Sequence, residues 1–368
     1  MKEALKHLDM VIDLRQEKKV RHKMKDIIVI VFMALLANAD EWVAMEIFAK
    51  EHELFLREYL ELPYGIPSHD TIERVFAIVS PEFLIKFKDE WNKMLNSDEG
   101  EKIRKILAID GKTERGNGNK NQKANHIVGA VDENGLSLSE KLVDEKSNEI
   151  KAVPELLDSL NIAGHIVTAD AMSCQTEIVA KIKKKRADYM IALKGNQGTL
   201  HEDVKLYFGD HELLKKCEYH KTSEKARGGL ELREYWQTDN ISWLPQLKQW
   251  RGLKSIVMTR NTVIKDGKET SETRYFISSL ALKAQDAARA IRRHWMVESY
   301  HWHLDVTFRE DKNRTLEKQA AFNLGIMRRL ALNVLKIVDL GKKPLSVRMK
   351  RFSIGTNPEK HLTAILCL

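Results

Sequence analysis

The chain contains 368 residues, with 61 Lys and Arg against 53 Asp and Glu, which gives a formal net charge of +8. This length allows two or three domains with a buried core, and the ordinary share of apolar residues excludes an intrinsically disordered protein. The positive charge is compatible with a polyanionic partner such as nucleic acid, although many basic proteins bind none.

Cysteine usage and hydropathy bear on the compartment of the protein. The three cysteines, Cys174, Cys217 and Cys367, are widely spaced, which indicates a reducing environment and matches no zinc-binding spacing. The most apolar run, residues 27–37, is too short to cross a bilayer and predicts a buried helix. The first residues do not resemble a signal peptide. We therefore expect a cytoplasmic protein without a membrane partner.

Residues 1–97 are predicted to form an all-helical domain. Helices are expected over 27–37, 41–60, 71–78 and 82–96, with Asp26, Asp40 and Ser68 as candidate N-caps. Short helices joined by tight turns beside basic residues are compatible with a DNA-binding helix-turn-helix, and equally with a plain helical bundle. Residues 97–100, Ser-Asp-Glu-Gly, indicate a linker to the next domain.

The pattern changes in the second predicted domain, residues 98–368. Strands are expected over 103–109, 126–131, 136–143, 162–169 and 188–193, and helices over 148–160 and 174–185. Asp132-Glu133-Asn134-Gly135 is a hairpin signal between two of these strands. This order predicts an α/β fold in which helices cover a mixed sheet, as in ribonuclease-H-like nucleases. A β-rich insertion at about 210–282 follows, with strands over 229–239, 253–264 and 273–279.

A helix after the insertion carries candidate functional residues. Residues 281–311 begin with an Ala-rich run and contain neither Gly nor Pro, which predicts one continuous helix. Spacings of four, three and four place one group of polar residues on a single face, namely His294, Glu298, His301 and Asp305. An adjoining face, where we expect burial, carries Trp295, Trp302 and Val306. For this helix alone, a solvated charged face remains an alternative to a functional site.

Three carboxylates from separate segments are candidates for one metal site. Asp110 and Asp170 each end an apolar run, and strand carboxyl ends are where open α/β sheets place their sites. Taken singly, a turn explains Asp110 and a helix N-cap explains Asp170. Together with Glu298 they would line one cleft. The three carboxylates would repel one another there, and bound divalent cations would relieve this repulsion. A pair of Mg²⁺ ions there would suit an in-line displacement at phosphorus.

Other polar residues near these acids have both a functional and a structural interpretation. Lys112 and Arg115 are candidate phosphate contacts or ordinary surface cations. The polar residues after strand 188–193 are candidate substrate contacts or loop residues, namely Lys194, Asn196 and Gln197. His294 and His301 beside Glu298 raise a zinc alternative, which the oxygen-rich acid set disfavours. Trp295 and Trp302 are expected in the core, with base stacking as the alternative.

Short motifs occur in order along nearly the whole chain. They span residues 65–71, 74–76, 108–112, 168–172, 193–197, 231–233, 294–298, 301–306 and 310–311. In this combination the chain resembles the ISAs-type, H-repeat-associated insertion-sequence transposases of the DDE class. The resemblance implies a ribonuclease-H-like core, a two-metal site and transfer of DNA strands at the ends of the element.

The resemblance also implies roles for individual residues. The DDE acids, which would be both catalytic residues and metal ligands, fall on Asp110, Asp170 and Glu298. The implied cofactor is Mg²⁺, two ions per site, with Mn²⁺ as a substitute. The implied partners are the double-stranded DNA of the element ends and the target, bound by a homodimer in the bacterial nucleoid. Candidate DNA contacts are Lys112, Arg115, Lys194, Asn196, Gln197, Arg233, Arg292, Arg293, His294 and His301.

The chain departs from the wider superfamily in its last motif. That motif often carries Tyr, Arg, Glu and Lys at fixed spacing, whereas here His294 lies four residues before Glu298 and Asp305 seven after it. Candidate replacements for the lost DNA-contacting Lys are Arg292, Arg293 and Arg309. Residues 225–229 also differ from the family's usual Gly-His-Gly-Arg. Two rival hypotheses are a stand-alone metal-dependent nuclease and an inactive, transposase-derived DNA-binding protein.

Overall fold

The computed structural model describes residues 7–95, 105–143, 149–226, 228–341 and 343–366. Its strands are β1 (Ile106–Thr113), β2 (His126–Asp132), β3 (Ser137–Val143), β4 (Ile166–Ala169), β5 (Asp188–Leu193), β6 (Glu218–Ala226), β7 (Gly229–Thr238), β8 (Ser255–Lys265) and β9 (Lys268–Ser278). All of them join one mixed sheet in the order β3-β2-β1-β4-β5-β9-β8-β7-β6. The predicted α/β class with a mixed sheet is therefore confirmed.

The described helices cover the sheet, and five of them precede its first strand in the chain. They are α1 (Met24–Leu36), α2 (Trp42–Glu51), α3 (Glu53–Leu56), α4 (His69–Phe76), α5 (Pro81–Leu95), α6 (Glu149–Ser159), α7 (Thr176–Lys184), α8 (Gly198–Gly209), α9 (His211–Leu214), α10 (Ala284–His294), α11 (Met296–Trp302), α12 (Lys318–Ile337), α13 (Val347–Thr356) and α14 (Pro358–Leu366). None of them has the length and apolar composition that crossing a bilayer requires.

The first five strands create the edge at which the predicted acids lie. Strands β1, β2 and β3 are antiparallel neighbours, while β4 and β5 run parallel to β1. The hairpin predicted at residues 132–135 connects β2 and β3. Strand β4 ends at Ala169, directly before Asp170, as expected. Strand β1 does not end at Asp110, because its pairing with β2 continues to Thr113, so that part of the prediction is wrong.

The predicted β-rich insertion forms two hairpins that extend the same sheet. Strands β7, β8 and β9 match the three predicted strands closely, and β9 pairs antiparallel with β5. Strand β6, which the sequence did not indicate, pairs with β7 at the outer edge. Its sequence, EYHKTSEKA, lacks an apolar run because an edge strand that is largely exposed needs none.

The amino-terminal helices pack around α12 rather than around one another alone. Helices α1, α4 and α5 contact α12, and their apolar side chains share one core with it. Ser68 caps α4 as predicted, because its hydroxyl accepts from the Thr71 amide. Asp26 and Asp40 are not N-caps: Asp26 lies inside the first turn of α1, and the carboxylate of Asp40 binds Arg351. The predicted linker falls outside the described residues.

The long helix predicted over 281–311 is interrupted. Helix α10 ends at His294, α11 begins at Met296, and a π-helical turn covers His303–Thr307. The chain then leaves the helical path at Arg309, whose φ of +54° is left-handed. The expected burial is also wrong for Trp302 and Val306, since each is 53% exposed. Trp295 is half-buried, with the Arg274 guanidinium 4.5 Å from its ring centroid.

Candidate functional site

Register in the parallel part of the sheet brings the first two acids together. Ile109 of β1 pairs with Ala169 of β4, and each is followed immediately by an aspartate. Because parallel neighbours in a sheet lie about 4.8 Å apart, Asp110 and Asp170 emerge side by side at this edge. Two segments that are 60 residues apart in the sequence are thus joined by hydrogen-bonded pairing.

The carboxyl group of Asp110 lies in a strongly acidic environment. Burial is the main reason why the pKa of Asp110 rises to about 7, although a hydrogen bond from the Gly111 amide opposes the rise. The negative charges of Asp170, Glu149 and Glu298 raise this pKa further. The charges of both predicted partners, Asp170 and Glu298, therefore act on Asp110. The charge of Glu149, which was not among the predicted site residues, acts on it as well.

Asp170 also has the structural role that its position suggests. Its Oδ1 atom accepts hydrogen bonds from the amides of Met172, at 3.0 Å, and Ser173, at 3.3 Å. The loop that it caps is held from the other side, because Asn196 Nδ2 donates to the Ala171 carbonyl at 2.6 Å and Gln197 Nε2 to the Cys174 carbonyl at 2.7 Å. The amides predicted to contact substrate therefore fix the position of the Asp170 loop.

Glu298 and the two histidines lie on the helical side of the site. Glu298 is exposed on α11, which packs against β1. Nδ1 of His301 lies 3.6 Å from Oδ2 of Asp110, and Nδ1 of His294 lies 3.0 Å from the hydroxyl of Thr168 on β4. Both histidines are therefore directed at the strands that carry the aspartates.

Both imidazoles are neutral at physiological pH. Burial lowers the pKa of His301 to about 3, and the positive charges of Lys112 and Arg329 contribute. Burial also lowers the pKa of His294 to about 4, with a contribution from Arg274. Neutral, enclosed imidazoles are poor phosphate ligands, so the placement of His294 and His301 favours support of the acids over the predicted contact with DNA.

Lys112 lies inside the protein, where it cannot serve as the predicted phosphate contact. Its side chain is only 7% exposed, and its ammonium group lies 2.6 Å from Asp305, 3.0 Å from Glu310 and 3.4 Å from Asp311. Arg329 contacts the same Glu310 at 3.1 Å. This network joins β1 to the segment after α11 and thereby orients the helix that carries Glu298.

The remaining predicted DNA contacts fall into two groups. Arg233 is nearly buried between Glu224 and Glu231 and is occupied by them. The side chains that are exposed, or half-exposed in the case of Arg292, are Arg115, Lys194, Arg292 and Arg293. The side chain of Arg115 is 84% exposed. Only this second group presents cations to a polyanion.

Glu149 is the carboxylate that sequence reasoning missed. It lies in the first turn of α6, and its Oε1 atom is 2.5 Å from Nε2 of His126 on β2. A Cβ atom at Gly111 would lie 2.5 Å from the same oxygen, so any larger residue there would have to displace the Glu149 carboxylate. The Asp-Gly pair at 110–111, for which a turn was the structural alternative, is a strand segment over which Glu149 packs, and this glycine was the available signal.

The acid set has the chemistry of a site for hard divalent cations. Asp110, Asp170 and Glu298 offer only oxygen donors, and the repulsion that raises the pKa of Asp110 would be relieved by positive charge. Within the described ranges, no three Asp, Glu, His or Cys side chains already stand in metal-ligating positions. The residues therefore fit such an ion by charge and donor type.

Comparisons with known proteins identify the relatives of this chain. A family profile described as "Transposase DDE domain" matches residues 101–334, and one described as "DDE_Tnp_1-associated" matches residues 5–92. The "H repeat-associated putative transposase YhhI" of Escherichia coli K12 is 36% identical over 97% of this chain and 96% of its own length. The "Putative transposase YncI" of Escherichia coli O157:H7 is 36% identical over 96% of this chain and 92% of its own length.

A shorter relative carries a different description. The "Inactive transposase YbfQ" of Escherichia coli K12 is 39% identical over 77 residues, which is 21% of this chain and 92% of that protein. The long matches, in contrast, extend through both the helical region and the sheet. Together with the profile over residues 101–334, they establish that the chain belongs to the DDE transposase family, among the H-repeat-associated transposases.

Proposed function

We propose that this protein is a Mg²⁺-dependent DNA transposase that cleaves and transfers strands at the ends of an insertion sequence. The observation that carries the proposal is the environment of Asp110, whose pKa responds to the charges of both Asp170 and Glu298. Three carboxylates this close repel one another, which destabilises the folded protein in the absence of metal. The same three groups provide negative charge and oxygen ligands for divalent cations.

The proposed catalytic core is ribonuclease-H-like. Support comes from strands β3-β2-β1-β4-β5, in which three antiparallel strands are followed by two parallel ones, with the aspartates on β1 and directly after β4. Asp110 and Asp170 would ligate metal, and Glu298 would complete the set from α11. Two Mg²⁺ ions, for which Mn²⁺ would substitute, would stabilise the attacking and leaving oxygens at phosphorus.

The neighbouring residues would hold this set in place. The caps at Asp170 fix its carboxylate, the network around Lys112 fixes the end of α11, and His301 occupies the space beside Asp110. Exposed Arg115, Lys194 and Arg293 would contact phosphates of double-stranded DNA. Because two element ends must be brought together, we propose a homodimer on DNA, with the amino-terminal helices and the β6–β9 region as end-binding parts.

The test is cleavage and joining of labelled candidate end DNA by the purified full-length chain in Mg²⁺. We expect nicking at the end and joining of its 3′-hydroxyl to a target duplex, both abolished in Glu298→Gln while binding to end DNA is retained. Glu359→Gln, a matched change of an exposed carboxylate on α14, should cleave like the unaltered chain.

Three outcomes would contradict the proposal or part of it. Normal cleavage by Glu298→Gln would remove Glu298 from the site. Nicking without joining would favour the stand-alone nuclease. Binding of end DNA without cleavage in either Mg²⁺ or Mn²⁺ would favour an inactive, transposase-derived DNA-binding protein. The relative YbfQ is described as an inactive transposase.

A further inference from the structure

Two exposed apolar side chains, Trp302 and Val306, continue the face of α11 that begins at Glu298 of the acid site. Glu298, Trp302 and Val306 follow one another at intervals of four residues, so that they lie on the same side of the helix and the π turn after it. Trp302 and Val306 are each 53% exposed. Adjacent large apolar side chains that stay exposed are a feature of binding surfaces.

The face leads into an open cavity with a volume of about 470 Å³. Val306 and Phe352, which is 62% exposed, supply its apolar wall, and Arg309 and Arg348 lie at its rim. The volume falls within the range of about 300–1,000 Å³ that small-molecule sites have, and it suits a nucleotide. We call this cavity, together with Trp302, the Trp302–Phe352 site.

The floor of the cavity carries surplus positive charge. Arg351, which is 1% exposed in its side chain, pairs with Asp40, and Arg309 lies 3.2 Å from the same carboxylate. Arg328 also donates to the backbone carbonyl of Asp40, at 3.0 Å. The Asp40 carboxylate thus pairs with two guanidinium groups, those of Arg351 and Arg309, and Arg348 adds a further positive charge at the rim. An anionic ligand would complete this balance.

We infer that the Trp302–Phe352 site binds unpaired nucleotides of the DNA strand next to the scissile phosphate, an inference that rests on the proposed function. Exposed aromatic rings stack on bases, and arginines contact the phosphates between them. Glu298 and Val306 are separated by roughly 12 Å at 1.5 Å per residue, which matches about three stacked nucleotides at 3.4 Å each. A strand whose phosphate lies at the acids would therefore reach this site.

Charge favours DNA over a second copy of the chain as the occupant. A symmetric contact between two copies would place Arg309 and Arg348 of one molecule against the same residues of the other. Like charges held together in an interface are unfavourable, whereas a single strand brings one negative charge per nucleotide. The mixture of exposed rings and guanidinium groups is the combination that single-strand binding requires.

The first test measures the affinity of the full-length chain for a dye-labelled oligo(dT) single strand in EDTA. Trp302→Ala and Phe352→Ala should each weaken binding by about 5- to 150-fold, since base stacking contributes about 1–3 kcal/mol per base. Trp302→Phe should retain most of the affinity. Leu206→Ala, which truncates a 72% exposed side chain on α8, should behave like the unaltered chain.

The second test uses end DNA and Mg²⁺. Trp302→Ala should slow cleavage of a fully paired end, and unpairing the nucleotides next to the scissile bond should restore the rate. Folding of each variant is checked by its thermal unfolding midpoint, which should change little because Trp302 is half exposed.

Each outcome separates this inference from the proposed function. Unchanged oligo(dT) affinity in both alanine variants would overturn the inference. So would conversion of a dimer into a monomer by Trp302→Ala with unchanged affinity, which would identify the face as a contact between copies. Trp302-dependent binding in a chain that never cleaves would refute the transposase activity and leave the single-strand site standing.

Discussion

Nδ1 of His301 lies 3.6 Å from Oδ2 of Asp110, and the two groups hold protons in the reverse of their usual order. Burial lowers the pKa of His301 to about 3, whereas burial and neighbouring carboxylates raise the pKa of Asp110 to about 7. Near neutral pH the metal-free site therefore contains a neutral imidazole beside a carboxyl group that is partly protonated. The acid, rather than the histidine, titrates in the physiological range.

This order predicts a pH-dependent requirement for metal. Asp110 must lose its proton before it ligates a cation, so the Mg²⁺ concentration that half-saturates cleavage should fall as the pH rises from 6 to 8. The change should approach tenfold per pH unit below the pKa of Asp110. Single-turnover cleavage of end DNA, titrated with Mg²⁺ at several pH values, measures it.

A control variant tests the cause of this dependence. Glu149→Gln removes one of the negative charges that raise the pKa of Asp110, so it should lower the half-saturating Mg²⁺ concentration at pH 6.5. A requirement for Mg²⁺ that is independent of pH in the unaltered chain would show that Asp110 does not titrate as described.

The same pKa predicts the effect of Asp110→Asn on stability. The pKa of Asp110 is raised from 3.8 to about 7 on folding, so its ionisation opposes folding, with no cost below pH 4 and the full cost above pH 7. In EDTA at pH 8, Asp110→Asn should increase the free energy of unfolding by about 2–4 kcal/mol. The gain should shrink as the pH falls towards 4. Urea unfolding measures it, and equal stability at pH 8 would contradict the prediction.

Substitutions of Lys112 and Arg115 should differ in their effect on the free energy of unfolding, although both residues flank the acid site. Lys112→Met leaves Asp305, Glu310 and Asp311 without their buried cation, so it should lower the free energy of unfolding by about 3–5 kcal/mol. Arg115→Ala should leave stability within about 0.5 kcal/mol, because its side chain is 84% exposed.

DNA binding separates the same two residues. Arg115→Ala should weaken binding to end DNA and reduce the slope of log affinity against log salt by about 1. The folded fraction of Lys112→Met should retain that slope. A reduced salt slope for Lys112→Met with unchanged stability would mean that Lys112 reaches DNA after all.

A buried ion pair joins the amino-terminal helices to the sheet. Lys88 on α5 and Glu140 on β3 are both fully buried and in contact, and Lys88 also lies 3.0 Å from the Ser137 hydroxyl. Lys88→Met should lower the free energy of unfolding by about 3–5 kcal/mol, because it leaves a buried carboxylate unpaired. The double variant Lys88→Met, Glu140→Leu should regain most of this loss. A single variant as stable as the double one would refute the pairing.

The sequence by itself was sufficient wherever the signal was local. Strands β5 and β7, the end of β4 before Asp170, the hairpin at residues 132–135 and the Ser68 cap all follow from apolar periodicity and turn chemistry, which depend on neighbours along the chain. The three acids were selected for the same reason, since each follows or lies within a recognisable element.

Only the tertiary structure decided which side chains meet. Strand β1 extends past Asp110 because it pairs with β2. Lys112 is buried because it contacts acids about 200 residues away in the sequence. Trp302 is exposed because no other described segment packs over its side of α11. The proximity of Glu149 to Asp110 likewise comes from packing of a helix over Gly111. Periodicity along a chain records which face of an element is apolar, but burial and charge are set by partners from distant segments.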